Sequence, residues 1–438
     1  MIDRVKQQRG WYVYDWAVSA FTTTVITVFI GPYLTTITEN AAVNGYVYIA
    51  GIKIFAGSFF PYCISLSVIL QVLLLPWLGG LADYSNRKKQ FLGTFAYIGA
   101  FAAMGLYFLD GTNYLLGGFL LVVSNLSFGA SMVFYNAYLS DIAEPDERDK
   151  VSSNGYATGY IGGGLLLAAN LVLVMQSESF GIETGMAVRI SLVSAGLWWA
   201  VFTIVPLIIL KNVRQIKKLP KDSNLFSFGL KQIIHTIKDS FNYPKTLMFI
   251  FAYLLFNDGV QSVIVVSSQF GQEELGLDIG TLTTVILMVQ FVAFGGAKFF
   301  DYLSRKINTK NALMLSIVIW ILCVVYAYLM LDSTAGFYAL GAVIGLVLGG
   351  TQALSRSLYS LMIPPGKESE YFSLYEISER GTSWIGPLVF GLSLQFTGSY
   401  RIAIFSLGIF FILGLILLFK VNIRQAIIES GNLPHNHI

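Results

Sequence analysis

Long apolar runs separated by short polar turns constrain this 438-residue chain more than any other feature. Twelve of them fall near 11–37, 55–81, 90–109, 113–139, 152–175, 186–210, 245–268, 280–300, 311–331, 335–362, 373–396 and 400–420. A helix needs roughly 20 apolar residues to cross the hydrocarbon core of a bilayer. Peptide groups in hydrocarbon must bond within their own segment, and a barrel would need short alternating strands, which we do not find. The expected fold class is therefore an all-α polytopic membrane protein with 12 transmembrane helices. Composition agrees: 55% of residues are hydrophobic and only 12% charged, with a mean hydropathy of +0.66, whereas soluble chains carry about 25% charge. A soluble enzyme, a disordered protein and a nucleic-acid binder are excluded. The net charge of +3 is too small to imply a polyanionic partner. Cys63 and Cys323 lie inside apolar runs and are expected to pack rather than to form a disulfide or metal pair. The charged start, reaching Trp11 within ten positions, lacks the order of a cleaved signal peptide, so the first span is expected to be retained.

Orientation follows from where lysine and arginine fall. One set of alternate connections holds Arg4, Lys6 and Arg9, then Arg87, Lys88 and Lys89, then Arg148 and Lys150. It continues through 211–245, Arg305, Lys306, Lys310, Lys367 and Arg424. The opposite set holds Lys53, Arg189 and Arg401. This bias puts both termini in the cytoplasm, and the short loops suit a bacterial plasma membrane.

The longest polar connection divides the chain near its middle. The expected organisation is a six-helix bundle over 1–210, a cytoplasmic linker over 211–244, and a second six-helix bundle with a short tail over 245–438. Within the linker Leu230, Ile233, Ile234, Ile237 and Phe241 recur at helical spacing beside Lys217, Lys218 and Lys221. That pattern suits an amphipathic helix lying at the inner leaflet and tethering the halves. The halves also echo each other. Asp83-Tyr84-Ser85-Asn86-Arg87-Lys88 and Asp301-Tyr302-Leu303-Ser304-Arg305-Lys306 share Asp-Tyr-x-x-Arg-Lys, 218 positions apart, about half the chain. Ile161-Gly162 and Ile385-Gly386 give a fainter echo. Two related six-helix halves are a recurrent transporter plan.

The stretch Gly79-Gly80-Leu81-Ala82-Asp83 to Lys89 resembles the loop between helices two and three of the major facilitator superfamily, with Asn86 where that family has glycine. Asparagine tolerates left-handed backbone, so the tight turn survives the change. Trp11 to Phe21 around Asp15, Tyr253 to Gln261, Gly349 to Ser357 with Ile363-Pro364-Pro365-Gly366, and Asp141 to Gly164 are similar to the vacuole effluxer-like branch of that superfamily, whose fungal member is an autophagy-related exporter of amino acids. The resemblance runs from Trp11 to about Gly391. It implies two pseudo-symmetric six-helix bundles, alternating access and a small-molecule substrate, with amino-acid efflux as the leading activity. Drug antiporters of the superfamily carry a proline where Tyr160 stands and an arginine in span four that is missing between Leu115 and Leu139, which weakens a drug/proton reading.

Ionisable groups at membrane depth cost at least ~2.5–3.5 kcal/mol on insertion scales, so each needs a partner or a wet cavity. Asp15 is either a proton or cation site or the structural partner of a basic residue. Asp258 lies past the midpoint of span seven among Asn257, Gly259 and Gln261, where propensity falls as polarity rises; a locally loosened helix facing a cavity is expected there. Arg356 keeps its charge and requires an anion, from the substrate or from the protein. With Glu376, Glu379 and Arg380 it forms the densest charge cluster, which suits either an ion-pair gate or a permanent bridge between spans ten and eleven. Asp83, Arg87, Asp301 and Arg305 of the two repeated loops join the gating candidates. Asn125, Asn136 and Gln352 are cavity candidates, and Gly155, Gly159 and Gly163 form a close-packing face. No phosphate-cradling loop is present, and the only histidines are His235, His435 and His437, so ATP-driven pumping, an enzyme, a cofactor and a metal site are not expected. The reading is a monomeric secondary transporter with substrate between the halves, among spans one, four, seven and ten, and proton coupling through Asp15 or Asp258. The alternatives are export of another amphipathic metabolite or drug, or a lipid-handling or receptor-like membrane protein without solute flux.

Overall fold

A computed structural model describes residues 2–49, 51–85, 87–212, 238–380 and 385–433; side chains of Ile2, Leu81, Asp83, Tyr84, Ser85, Ile279, Arg380 and Gln395 are not described. Most of the linker, with Lys217, Lys218, Lys221, Leu230 to Ile237 and His235, lies outside these residues, as do His435 and His437. Among the described residues eleven helical runs are long and apolar enough to cross a membrane. The expected eleventh span is represented by two shorter helices, Glu368–Arg380 and Ile385–Thr397, on either side of residues 381–384.

The first half contains α1 (Ile2–Ala20), α2 (Ile30–Ala41), α3 (Phe59–Ser85), α4 (Lys88–Gly105), α5 (Tyr114–Ala137), α6 (Leu139–Ile142), α7 (Arg148–Met175) and α8 (Thr184–Ile209). The second contains α9 (Pro244–Leu275), α10 (Ile279–Ile307), α11 (Thr309–Leu329), α12 (Thr334–Leu361), α13 (Glu368–Arg380), α14 (Ile385–Thr397), α15 (Tyr400–Ser406), α16 (Gly408–Lys420) and α17 (Ile423–Glu429). Side-chain oxygens of Asp278, Asn308, Ser333, Ser399 and Asn422 accept from backbone N–H groups at the starts of five of these helices, where those donors have no intrahelical partner. Asn308, at φ +67°, turns the chain between α10 and α11 in one residue.

Two local structures differ from the expectation of plain helices. Between α1 and α2 the segment Phe21–Phe29 is a π-helix. It is rich in β-branched residues, which crowd the preceding turn of an α-helix. The hydroxyls of Thr23 and Thr27 donate to the carbonyls of Ser19 and Thr22 at 2.9 and 2.8 Å, which satisfies acceptors as the turn widens. After α2, Tyr46–Ile49 and Ile52–Phe55 form an antiparallel hairpin with Gly51 at φ +83° in its turn. Alternating β-branched and aromatic residues favour strands here, in a connection too short to reveal this by apolar length.

The chain divides into two compact units. Unit 1 comprises 1–75, 87–135 and 158–212; unit 2 comprises 76–86, 136–157 and 213–438. The boundary crosses three helices, α3 at Pro76, α5 after Tyr135 and α7 after Ala157, so unit 2 includes short pieces of the first sequence half. Glycines set the helix spacing inside each unit. In unit 1 a Cβ on Gly162 would lie 2.7 Å from the Trp16 carbonyl oxygen, and one on Gly159 2.6 Å from the Ser19 hydroxyl. In unit 2, Cβ atoms on Gly296 and Gly349 would lie 2.1 and 2.2 Å from the carbonyl oxygens of Leu346 and Ala293, so α10 and α12 meet backbone to backbone.

Candidate functional site

Unit 2 gathers the polar groups that the sequence singled out in spans four, seven, ten and eleven. Arg356 on α12 is fully buried (0% exposed). Its Nε donates to Ser152 Oγ at 2.9 Å, its Nη2 to the Ser152 carbonyl at 2.8 Å and its Nη1 to Asn136 Oδ1 at 3.3 Å. The Tyr156 ring covers the guanidinium, 4.0 Å from carbon to centroid. Asn136 also donates through Nδ2 to Glu376 Oε1 at 2.6 Å, so one amide bridges the cation of α12 and the buried carboxylate of α13. Ser152 Oγ in turn donates to the Ala353 carbonyl at 2.8 Å. The Asn136 amide thus links guanidinium and carboxylate, while the Ser152 hydroxyl ties the guanidinium to the α12 backbone.

Around this centre, residues 136–157 make further bonds to the second half of the chain. Arg148 Nη1 donates to the Ser360 carbonyl at 2.6 Å, and Thr309 Oγ1 donates to Asp149 Oδ2 at 2.6 Å. Lys298 bonds Asn154. A Cβ on Gly79 would lie 2.5 Å from the Ser369 carbonyl oxygen, so α3 runs against the start of α13 with no room for a side chain. That start is anchored by Lys367, which pairs with Asp239, and by Tyr371 Oη, which donates to the same carboxylate at 3.0 Å.

A stack of aromatic rings adjoins the charged centre: Tyr253 on Tyr375 at 4.3 Å, and Tyr375 on Tyr359 at 5.2 Å between centroids. Asn257, on the same helix as Tyr253, donates to the Glu379 carbonyl at 3.1 Å. Asp258 is 1% exposed, and among the described residues no side chain bonds either carboxylate oxygen. The backbone N–H of Gly386 is the polar group that lies against the carboxylate. The loosened helix expected at this point is not there. The α9 helix is unbroken from 244 to 275, and Gly259 gives up its side chain to packing, since a Cβ would meet Phe411 at 3.0 Å.

Other predicted residues are placed elsewhere. Asp15, in unit 1, accepts a 2.5 Å hydrogen bond from Tyr135 Oη, and Trp11 stacks on that tyrosine at 4.3 Å while its Nε1 donates to the Tyr135 carbonyl at 2.8 Å. Asn125 donates to Ser67 Oγ at 2.7 Å and its carbonyl accepts from Gln71 at 2.9 Å, a bridge from α5 to α3. Gln261 and Gln352 are half-buried. Asp301 and Arg305 pair with each other at 2.8 Å along α10, and Arg87 is exposed at the start of α4. The side chains of Asp83 and Arg380 lie outside those described. Sequence reasoning missed Ser152, Tyr156, Arg148 and Tyr135. Only the certainty that a buried Arg356 needs several acceptors hinted at the first two.

Comparison with known proteins agrees with this architecture. The family model described as "Vacuole effluxer Atg22 like" matches residues 3–431. The uncharacterized MFS-type transporter YxiO of Bacillus subtilis (strain 168) is 31% identical over 94% of this chain and 94% of its own. Autophagy-related protein 22-1 of Aspergillus niger is 26% identical over 86% of this chain and 75% of its own. Among solved structures, the major facilitator superfamily transporter FucP in its outward conformation aligns with a TM-score of 0.68 at 13% identity, covering 96% of this chain and 98% of that one. The proton:xylose symporter XylE aligns with a TM-score of 0.69 at 11% identity, covering 95% and 94%. These two show the fold alone: the two-bundle, 12-helix major facilitator architecture.

Proposed function

Because the chain belongs to the Vacuole effluxer Atg22 like family of major facilitator transporters, we propose that it is a secondary active exporter of a small organic solute, an amino acid first among them, working by alternating access. The observation that carries this reading is the buried guanidinium of Arg356, bonded to residues 204 and 220 positions away in the first half of the sequence. A buried guanidinium whose bonds to Ser152 and Asn136 reach neutral groups can release those partners at less cost than it could release a buried carboxylate. Such a cluster suits a gate, closed when Ser152, Asn136 and Tyr156 embrace Arg356 and open when they part. The one-sided lysine and arginine distribution supports a cytosolic position for both termini, and the short loops suit a bacterial plasma membrane. Asp258 supplies the complementary charge: a buried carboxylate that no side chain among the described residues answers, offered to a coupling proton or to a substrate amine. An amino acid carries both a carboxylate and an ammonium group, which is why it leads the substrate classes.

The test is counterflow into proteoliposomes with a panel of radiolabelled amino acids, at several internal and external pH values. Exchange of at least one amino acid, with Arg356→Gln abolishing flux while the protein is still recovered folded, is the expected result. Exchange confined to other amphipathic metabolites would overturn the amino-acid assignment. Wild-type flux in Arg356→Gln would overturn the gate.

A further inference from the structure

A cavity of about 370 Å³ opens where the last turn of α16, the start of α17 and the turn between α10 and α11 meet. Its lining is one-sided in chemistry: Lys310, Lys420, Arg424, Asn308 and Asn422 contribute ammonium, guanidinium and amide groups, and no carboxylate among the described residues lines it. Three of these residues build the site. Lys310 donates to the carbonyls of Phe419 and Val421, both at 2.9 Å, fastening the C-terminal end of α16, and the Asn308 and Asn422 side-chain oxygens are spent capping α11 and α17. Their amide nitrogens are left as donors. Lys420 and Arg424, by contrast, are exposed and bond no group among the described residues. Converging cations without a counter-charge repel one another, so the site is arranged for a multivalent oxygen anion.

The cavity also has an apolar flank. Phe419, at its rim, is 69% exposed, and Leu315, Leu322, Ile412 and Ile416 are exposed along α11 and α16, two of the most apolar spans. A free phosphate ion would have no use for that flank; a phospholipid would lay its acyl chains along it and its phosphate among the cations. We infer that this cavity is a binding site for the phosphate headgroup of an anionic phospholipid, held by Lys420 and Arg424 on a floor built by Lys310, Asn308 and Asn422. The inference is independent of what the protein transports. It agrees with the positive-inside orientation, which sets these residues at the leaflet where basic clusters meet anionic lipid.

Native mass spectrometry of the full-length protein in neutral detergent tests this, with dioleoyl phosphatidylglycerol, dioleoyl phosphatidylcholine and inorganic phosphate as separate probes. Phosphatidylglycerol is expected to bind at least tenfold more tightly than phosphatidylcholine. Because two basic residues at an anionic surface together contribute about thirtyfold in affinity, the double variant Lys420→Gln/Arg424→Gln should lose about that factor for phosphatidylglycerol. It should bind phosphatidylcholine as before, and since both residues are exposed its melting temperature should match the parent. Equal phosphatidylglycerol affinity in parent and double variant overturns the site. Millimolar inorganic phosphate displacing the lipid from the parent would assign the cavity to the free anion and overturn the lipid.

Discussion

Asp15 and Asp258 are both carboxylates buried in membrane-spanning helices, one in each compact unit, yet their surroundings are opposite. Asp15 is met by a phenol at 2.5 Å whose ring and backbone are both fixed by Trp11. Asp258 has two buried oxygens that no side chain among the described residues meets, with only the Gly386 backbone against them. The packing that frames them is otherwise alike: Gly162 brings α7 onto the Trp16 carbonyl next to Asp15, and Gly386 brings α14 onto Ser262 and the Asp258 carbonyl. A buried polar group that is satisfied stabilises a single arrangement, whereas one left unsatisfied carries a free-energy cost that a ligand can remove. The difference fits the proposal that Asp258 exchanges ligands while Asp15 holds one arrangement.

The sharpest way to break that contrast is Asp258→Asn. A hydrogen-bonding group that is charged contributes ~1.5–3 kcal/mol, so counterflow should fall about ten- to hundredfold while the melting temperature holds or rises, since the charge removed has no partner. Unchanged flux would return Asp258 to a structural role. Next in size is Gly162→Ala, which drives a methyl to 2.7 Å from a main-chain oxygen. Overpacking of this kind costs about 1–3 kcal/mol, seen as a lower melting temperature of the purified protein. Tyr135→Phe should cost about 1–2 kcal/mol by leaving an Asp15 oxygen short of a donor, with counterflow within a few-fold of the parent. A larger loss of transport than in Asp258→Asn would invert the comparison. At the small end, Gly295→Ala meets nothing within 4 Å and should stabilise α10 by about 0.5–1 kcal/mol through helix propensity alone, which calibrates the other glycine result.

Much of this was legible in the sequence because hydrocarbon leaves so few options. The apolar runs predicted the spans, since only helices and closed barrels survive in lipid and the runs do not alternate as barrel strands do. Asn136, Arg356 and Glu376 were all recognised as polar residues at membrane depth, because rarity itself marks them. The partners were less visible. Ser152 and Tyr156 sit in a segment whose serines and tyrosines have no distinguishing spacing, and Tyr135 is one of 24 tyrosines. The dip in helix propensity around Asn257 and Gly259 pointed to a break in α9. Gly259 instead makes space for Phe411, because a helix can meet the same local preference by close packing as well as by unwinding. The π-segment at Phe21–Phe29 went unseen because widening by one residue leaves the apolar length of a span unchanged.

By itself the sequence determined that this chain lives in a membrane, as a set of helices, with a small number of charges that must be accounted for. Those are consequences of transfer free energy, which adds up residue by residue along the chain. Only the tertiary structure decided which charges find partners, that Asn136 bridges Arg356 to Glu376, and that Asp15 is answered while Asp258 is not. Hydrogen bonds are directional and short, and the residues that make these are separated by 120 to 240 positions, so their pairing exists nowhere until the helices have packed.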